Sequence, residues 1–293
     1  MDLSERRFSA FDQIPIVYRR RFPEDSPRAL LFVVHGMGEY GARYLPHAET
    51  LARRGICVVV MDLRGHGQSG GPRVFVREFE DYHKDLERLI RLERDRLARL
   101  PFFVLGHSLG GLIAASWASG RASDCALSGL ILNSPCLGLA EKAAPIHKRI
   151  AAELLSRLRP QFLLPDGIRP EQLLKDDRLL RLYRQDTLIE RHISPRLYTQ
   201  MMRVLAQTGS IAARIDCPTL MLLAGCDSVV SNAAAETFFS KIPHPDRSLE
   251  IGPETLHERI HDSGCELLWG SVGDWVLRRC QETECGKILP HKS

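Results

Sequence analysis

The sequence contains no apolar run that approaches the roughly 20 residues of a membrane-spanning helix. Residues 1–7 are not followed by the apolar core of a signal peptide. The eight cysteines show no C-x-x-C spacing, so we expect reduced, mostly buried thiols rather than disulfides or a metal site. The sequence also has no large excess of charge of either sign, because its 40 Lys and Arg residues nearly balance its 36 Asp and Glu residues, which gives a formal net charge of +4. This balance gives no indication of nucleic-acid binding, and we expect a cytoplasmic protein.

The apolar residues that are present form short runs of the kind that parallel sheets bury on both faces. With 293 residues and 44% hydrophobic composition, the chain is large enough for one substantial core and a smaller insertion. The runs lie at 29–34, 56–61, 102–105, 130–132, 219–223 and 249–251, after an N-terminal hairpin at 8–18. Helical patterns separate most of them. The prediction is an α/β fold with a mostly parallel eight-stranded sheet and helices on both faces.

One segment, residues 138–214, breaks this alternation and shows no strand signal. Ile146, Ile150, Leu154 and Leu158 recur every four residues there and predict an amphipathic helix. We interpret the segment as a helical cap inserted after the sixth strand. Its apolar stripe would either pack on the main core or line an acyl-chain groove. The expected organisation is a core of residues 1–137 and 215–280, a cap of 138–214, and a tail of 281–293.

The most informative motif is GHSLG at residues 106–110, which lies between an apolar run and a helical pattern. A strand, a sharp turn and a helix are the context that a G-x-S-x-G nucleophile elbow requires. Gly106 and Gly110 permit the tight turn, which exposes the Ser108 hydroxyl. The N–H of Leu109 begins the new helix and is a candidate oxyanion donor.

A serine nucleophile needs a base to accept its proton and an acid to orient that base. In this arrangement the acid and then the base follow later strands, each at the carboxyl end. Asp227 comes directly after the run 219–223, whereas Asp216 and Asp246 precede strands and fall at the wrong end. His257 is the first histidine after the run 249–251, with His261 as its rival.

A second oxyanion donor is expected in the glycine-rich turn after the run 29–34. Gly36 and Gly38 let the backbone approach a substrate oxygen, so the N–H of Met37 is the candidate. His35 is interpreted as a structural residue of this turn. The resulting mechanism is acyl transfer through Ser108, and it requires neither a metal nor an organic cofactor.

Five segments, in order, resemble the monoacylglycerol lipases and related lysophospholipases of the α/β-hydrolase superfamily. They are HGMGEYGARY at 35–44, DLRGHGQSGG at 62–71, GHSLGG at 106–111, AGCDSVV at 224–230, and HE at 257–258. The resemblance implies a serine esterase that acts on single-chain lipid esters under a helical cap, which can rest on a membrane. The cap matches only loosely, through DTL at 186–188, so the acyl chain and head group stay open.

Other functions remain as alternatives at this stage. A lysophospholipase would use the same chemistry on a charged head group. A prolyl-type aminopeptidase would need an acidic pocket, for which Asp176, Asp177 and Glu190 are candidates without a position. A hydrolase-fold receptor would bind without turnover and would have no need of Asp227. Glu39 and Arg43 would either anchor the oxyanion turn through an ion pair or cap the next helix, and the oligomeric state is open.

Overall fold

The computed structural model of the chain describes residues 5–97, 100–140 and 146–286. The strands in those ranges are β1 Glu5–Ser9, β2 Pro15–Arg21, β3 Ala29–Val34, β4 Ile56–Met61, β5 Phe102–His107, β6 Gly129–Asn133, β7 Leu164–Pro165, β8 His192–Ile193, β9 Thr219–Ala224 and β10 Arg247–Gly252. The helices there are α1 Leu45–Ala52, α2 Glu80–Arg94, α3 Leu109–Cys125, α4 Ile146–Leu158, α5 Asp177–Gln185, α6 Pro195–Leu205, α7 Thr208–Ala212, α8 Asn232–Ser240 and α9 Cys265–Gly286. None of the helices in the described ranges is both long and apolar enough to cross a membrane.

Eight of the strands form one sheet in the order β1-β2-β4-β3-β5-β6-β9-β10. β2 pairs antiparallel with β1 and β4, and every other pair of neighbours is parallel. The runs predicted at 29–34 and 56–61 coincide with β3 and β4, every residue of which is buried. Because β3, β5, β9 and β10 are parallel, their carboxyl ends share one edge of the sheet, where α/β folds bind their ligands.

The sheet separates two apolar cores, and β3 shows how the alternation of side chains supplies both. Leu30 and Phe32 point into a core that α2 and α3 cover. Leu31 and Val33 point to the opposite face, into a core that α1 and α9 cover. The period of two along a strand therefore gives three layers, with helices on either side of the sheet.

Residues between β6 and β9 contain α4 to α7 and one short strand pair that the sequence did not predict. Leu164 pairs with Ile193 and Pro165 with His192, in antiparallel register. Two-residue strands separated by 26 residues leave no periodic signal, because alternation needs a run of about four residues. Residues 141–145 of the predicted cap lie outside the described part of the chain.

The amphipathic helix predicted around Leu154 is present as α4. Its apolar stripe, however, neither packs on the main core nor lines a groove, so both interpretations of the stripe were wrong. Ile150, Leu154 and Leu158 are 67%, 59% and 67% exposed, so they neither pack on the core nor line a groove. The buried side of α4 instead carries Ala152 and Ser156. The Ser156 hydroxyl shares a hydrogen bond of 3.0 Å with the hydroxyl of Thr199 on α6. Small side chains on that face let the two helices approach closely.

The last helix extends further along the chain than the sequence indicated. α9 runs over Cys265–Gly286, so the first six residues of the predicted tail 281–293 continue this helix. Residues 287–293 lie outside the described ranges. Trp269 and Trp275 of α9 are buried against the sheet and anchor the helix.

Candidate active site

Ser108 lies at the turn between β5 and α3, with a backbone φ of 51° in the left-handed region. Its N–H donates to the carbonyl of Asn133 on the neighbouring strand, and its own carbonyl accepts from the N–H groups of Gly111 and Cys136. Left-handed backbone costs a serine about 1–2 kcal/mol, so these hydrogen bonds are what hold the turn. The hydroxyl is thereby raised above the carboxyl edge of the sheet.

The glycines of the elbow are required because backbone passes where their side chains would be. A Cβ on Gly106 would lie 2.3 Å from the carbonyl oxygen of Gly110. A Cβ on Gly110 would lie 2.1 Å from the carbonyl oxygen of Val34 at the end of β3. The first turn of α3 therefore lies directly against the strand that leads into the predicted oxyanion turn.

His257 and Asp227 meet the serine in one chain of hydrogen bonds. The Nε2 of His257 is 2.9 Å from the Ser108 Oγ, and the Nδ1 is 2.7 Å from the Asp227 Oδ2. Because the carboxylate accepts the Nδ1 proton, the Nε2 lone pair faces the serine hydroxyl. The three residues that the sequence singled out are 149 and 30 positions apart in the chain, and the fold brings them together.

Asp227 is held in its ionised form by the loop that carries it. Burial alone would raise the pKa of Asp227, but the hydrogen bond from His257 and the N–H groups of Val229 and Val230 lower it below its usual value. Those two amides donate to the Asp227 Oδ1 at 2.9 and 3.0 Å. Asp246, a rejected candidate, instead pairs with Arg279 at the other end of β10.

Met37 and Leu109 line the same cavity as Ser108. The backbone N–H groups of these two residues donate to no acceptor among the described residues. The N–H of Gly36, by contrast, donates to the Glu39 Oε1 at 2.6 Å and is not available to a substrate. The N–H groups of Met37 and Leu109 are therefore available to donate hydrogen bonds to an oxygen atom in the cavity.

The turn that carries Met37 is fixed by the buried side chain of His35. The Nε2 of His35 accepts from the N–H of Leu63 at 2.9 Å, while its Nδ1 donates to the Gly36 carbonyl at 2.7 Å. Burial lowers the pKa of His35, so the ring is neutral and acts as a brace, as its structural interpretation expected. A Cβ on Gly36 would lie 3.2 Å from the Cβ of Ser108, which shows how closely this turn approaches the nucleophile.

An ion-pair network joins this turn to the loop of His257, and it favours the anchoring interpretation of Glu39 and Arg43. Arg43 donates to the Glu39 Oε2 at 2.8 Å and to both carboxylate oxygens of Glu258 at 3.2 and 2.6 Å. His261, the rival base, is 3.1 Å from the Glu39 Oε2 and makes no hydrogen bond to Ser108. Glu258 follows His257 directly, and sequence reasoning did not identify it as a partner of Arg43.

The cavity above Ser108 combines apolar walls with three carboxylates. Its apolar lining includes Leu139, Ile168, Leu173 and Met201, all from the segment between β6 and β9 or its borders. The carboxylates are Glu39, Glu258 and Asp166, of which sequence reasoning missed the last. The cavity volume is about 70 Å³, below the several hundred Å³ of a typical ligand pocket. A long acyl chain must therefore extend beyond it.

The acids considered from the sequence for an aminopeptidase pocket lie elsewhere. Asp176 caps the N-terminus of α5 through the N–H groups of Arg178 and Leu179. Asp177 is exposed in the first turn of the same helix, and Glu190 accepts from the His192 ring at 2.6 Å. Asp166 lies in the turn after β7, where its Oδ1 accepts from the N–H of Ile168.

The sheet order, the serine elbow and the Ser–His–Asp chain at the carboxyl edge together define an α/β-hydrolase. Comparison with known proteins agrees. Residues 25–264 match the family described as serine aminopeptidase, S33, and the chain belongs to this family. It is a carboxylic ester hydrolase, as the sequence predicted.

Several known lipases and a phospholipase are similar to this chain over most of their length. A monoacylglycerol lipase of Mycolicibacterium smegmatis is 26% identical over 275 residues, which cover 94% of this chain and 97% of the relative. A phospholipase of Bacillus subtilis is 28% identical over 241 residues, covering 81% and 91%. The crystal structure of a monoacylglycerol lipase from Paleococcus ferrophilus superposes with a TM-score of 0.80 at 25% identity, covering 95% of this chain and all of that one. The predicted α/β-hydrolase fold is confirmed.

Proposed function

We propose that the protein hydrolyses the ester bond of single-chain lipids such as monoacylglycerols through an acyl-enzyme on Ser108. The observation that carries the proposal is the hydrogen-bond chain from the Ser108 hydroxyl through His257 to Asp227, at 2.9 and 2.7 Å. The apolar cavity lining and the lipase relatives support the lipid ester as substrate.

In the first half-reaction the Ser108 Oγ attacks the ester carbonyl while the His257 Nε2 takes the hydroxyl proton. The carbonyl oxygen becomes an oxyanion and accepts hydrogen bonds from the N–H groups of Met37 and Leu109. Asp227 stabilises the imidazolium without itself becoming protonated. Collapse of the tetrahedral intermediate breaks the bond to the alcohol, which leaves with the proton from His257. Each oxyanion donor contributes about 3–4 kcal/mol to lowering the barrier.

In the second half-reaction water replaces the alcohol. His257 takes a proton from the water, whose oxygen attacks the acyl carbon bound to Ser108. The same two amides hold the second oxyanion. Return of the proton from His257 to the serine oxygen releases the fatty acid and restores the free enzyme.

The head group of the substrate is the part for which alternatives remain. The phospholipase relative favours a lysophospholipid as second candidate. The family description and the carboxylate of Asp166 in the cavity favour a peptide amine as third candidate. The three lining carboxylates oppose an anionic phosphate near the nucleophile, so the neutral glyceride is our first choice.

The experiment compares hydrolysis of a monoacylglycerol, lysophosphatidylcholine and an aminoacyl amide by the purified protein. We expect the monoacylglycerol to have the highest kcat/KM. A fluorophosphonate probe should label the wild type and fail to label Ser108→Ala, whereas Asp227→Asn should lower kcat by about 10⁴. Absence of labelling in the wild type would favour a receptor without turnover. Faster cleavage of the amide would establish the aminopeptidase.

We also propose that residues 138–214 form a cap whose outer surface contacts the membrane that holds the substrate. Ile150, Leu154 and Leu158 lie on one side of α4 and Phe162 follows the helix, and all four side chains are more than half exposed. The exposed side chain of Arg157 lies beside them and would face lipid head groups. Such a stripe lowers its free energy by entering the interfacial region of a bilayer.

Vesicle co-sedimentation tests this contact with one substitution and a matched control. Leu154→Asp should weaken binding to phosphatidylcholine vesicles that contain monoacylglycerol by at least about tenfold, since a buried leucine contributes about 1.5–3 kcal/mol. Leu267→Asp alters a leucine that is 85% exposed on α9 and should leave binding unchanged. If both variants lost vesicle binding equally, or if neither lost it, a contact through the cap would be contradicted.

A further inference from the structure

The wall of the site contains a group of buried charges that the proposed chemistry does not use. It consists of Glu39, Arg43 and Glu258, with the ring of His261 as a fourth member. The two carboxylates are 3% and 6% exposed and the guanidinium is 13% exposed. Burying three ionised groups costs several kcal/mol each before their attraction is counted, and apolar side chains of similar volume would often be at least as stabilising.

The position of the group suggests what it does. On one side, the Glu39 Oε1 accepts from the N–H of Gly36, the residue before Met37 in the oxyanion turn. The hydroxyl of Tyr44 donates to the same oxygen at 2.9 Å. Glu39 therefore determines where the Met37 amide lies relative to the nucleophile.

On the other side, Glu258 is the neighbour of the base in the chain. Its N–H donates to the carbonyl of Leu173, and its carboxylate receives the two hydrogen bonds from Arg43. A guanidinium that binds both oxygens of a carboxylate restricts distance and orientation together. The loop that carries His257 is in this way tied to a residue 215 positions earlier in the chain.

Charge gives the arginine a second effect. Glu39 and Glu258 both line the cavity in which the oxyanion would form. Burial alone would raise the pKa of each carboxyl, but Arg43 and His261 lower it, so both stay ionised at neutral pH. Without the guanidinium, two negative charges would face a developing negative charge in a site of low dielectric.

We propose that Arg43 is a positioning residue, which fixes the Met37 amide and the His257 imidazole relative to each other through Glu39 and Glu258 and offsets part of the negative charge of these two carboxylates. The proposal rests on the ester hydrolase function above. It assigns Arg43 no contact with the substrate. Misplacement of reacting groups by about 1 Å costs about a hundredfold in rate, so loss of this tie should appear in kcat rather than in KM.

The test uses two conservative variants, each of which breaks the pair of hydrogen bonds between Arg43 and Glu258. Glu258→Gln removes one charge and one acceptor of the paired hydrogen bonds, and Arg43→Lys keeps the charge but loses the two-pronged geometry. We expect kcat for a short-chain ester to fall ten- to hundredfold in each, with KM within twofold of wild type. The rate of fluorophosphonate labelling of the folded protein should fall in parallel. The double variant should lose much less than the product of the two single losses, because both break the same tie.

The control is another buried arginine outside the site. Arg20 on β2 pairs with Glu93 on α2 at 2.9 Å, and Arg20→Met should lower Tm while leaving kcat unchanged. If Glu258→Gln and Arg43→Lys behave in the same way, with lower Tm and wild-type kcat and labelling rate, the group is only structural and the proposal is overturned. If the wild type itself neither hydrolyses esters nor reacts with the probe, the proposed function fails instead.

Discussion

The contact between the serine elbow and the end of β3 leads to a sharp prediction for Gly110→Ala. The added Cβ would lie 2.1 Å from the carbonyl oxygen of Val34 and 2.5 Å from that of His35. Since these oxygens belong to the backbone, either α3 or the turn with Met37 must move by about 1 Å. Overpacking of this kind costs about 1–3 kcal/mol or more, against a gain in helix propensity of about 1 kcal/mol. A shift of about 1 Å in the turn should also lower kcat by about a hundredfold.

The same helix supplies the matched control. A Cβ on Gly120 would meet no atom within 4 Å, so Gly120→Ala makes the same chemical change without the contact. We expect Gly120→Ala to raise the free energy of unfolding by about 0.5–1 kcal/mol and to keep wild-type kcat. Urea unfolding and ester hydrolysis measure both effects. If Gly110→Ala and Gly120→Ala had the same free energy of unfolding and the same kcat, the close approach of α3 to β3 would be refuted.

Three further predictions concern groups away from the nucleophile. Asp85→Ala removes two hydrogen bonds from the buried guanidinium of Arg64, which keeps its pair with Asp12, and should cost about 1–3 kcal/mol. Glu153→Ala, in an exposed pair on α4, should cost less than about 1 kcal/mol in the same urea titration. Burial lowers the pKa of His66 to about 3, so below pH 6.5 the unfolded chain binds a proton that the folded protein does not. His66 should therefore make the free energy of unfolding decrease by about 1.4 kcal/mol per pH unit between pH 6 and 4, and a His66→Gln variant should show a shallower slope. Cys226 is the exposed member of the six described free cysteines, so iodoacetamide should modify its peptide first, and mass spectrometry that finds a buried cysteine modified at the same rate would contradict this.

Sequence patterns predicted the sheet well because its strands are buried on both faces. The apolar run of β3 lies between Arg28 and His35 and that of β4 between Gly55 and Asp62, and the bounds of both runs agree with the structure. The positions of Ser108, Asp227 and His257 could be inferred because chain order in this fold determines which strand end each residue follows. Local sequence and topology together were sufficient for that part of the site.

Contacts between distant segments could not be predicted in the same way. Arg43 and Glu258 are 215 positions apart, and nothing near either residue indicates its partner. Asp166 enters the cavity lining only because a two-residue strand pair turns the chain there. The stripe of α4 had the right period, but periodicity identifies a face of a helix without telling whether core, substrate or lipid covers it.

The left-handed backbone of Ser108 implies that the residue needed for the proposed activity lowers the stability of the fold. At φ 51° a serine backbone is more strained than a glycine backbone would be. The hydrogen bonds around Ser108 stabilise this strained conformation. Ser108→Gly should thus yield an inactive chain that withstands heat as well as the native one or better, by up to about 1 kcal/mol. Glycine would therefore suit the backbone at this position better than serine, and the proposed catalytic role supplies a reason for the hydroxyl to be there.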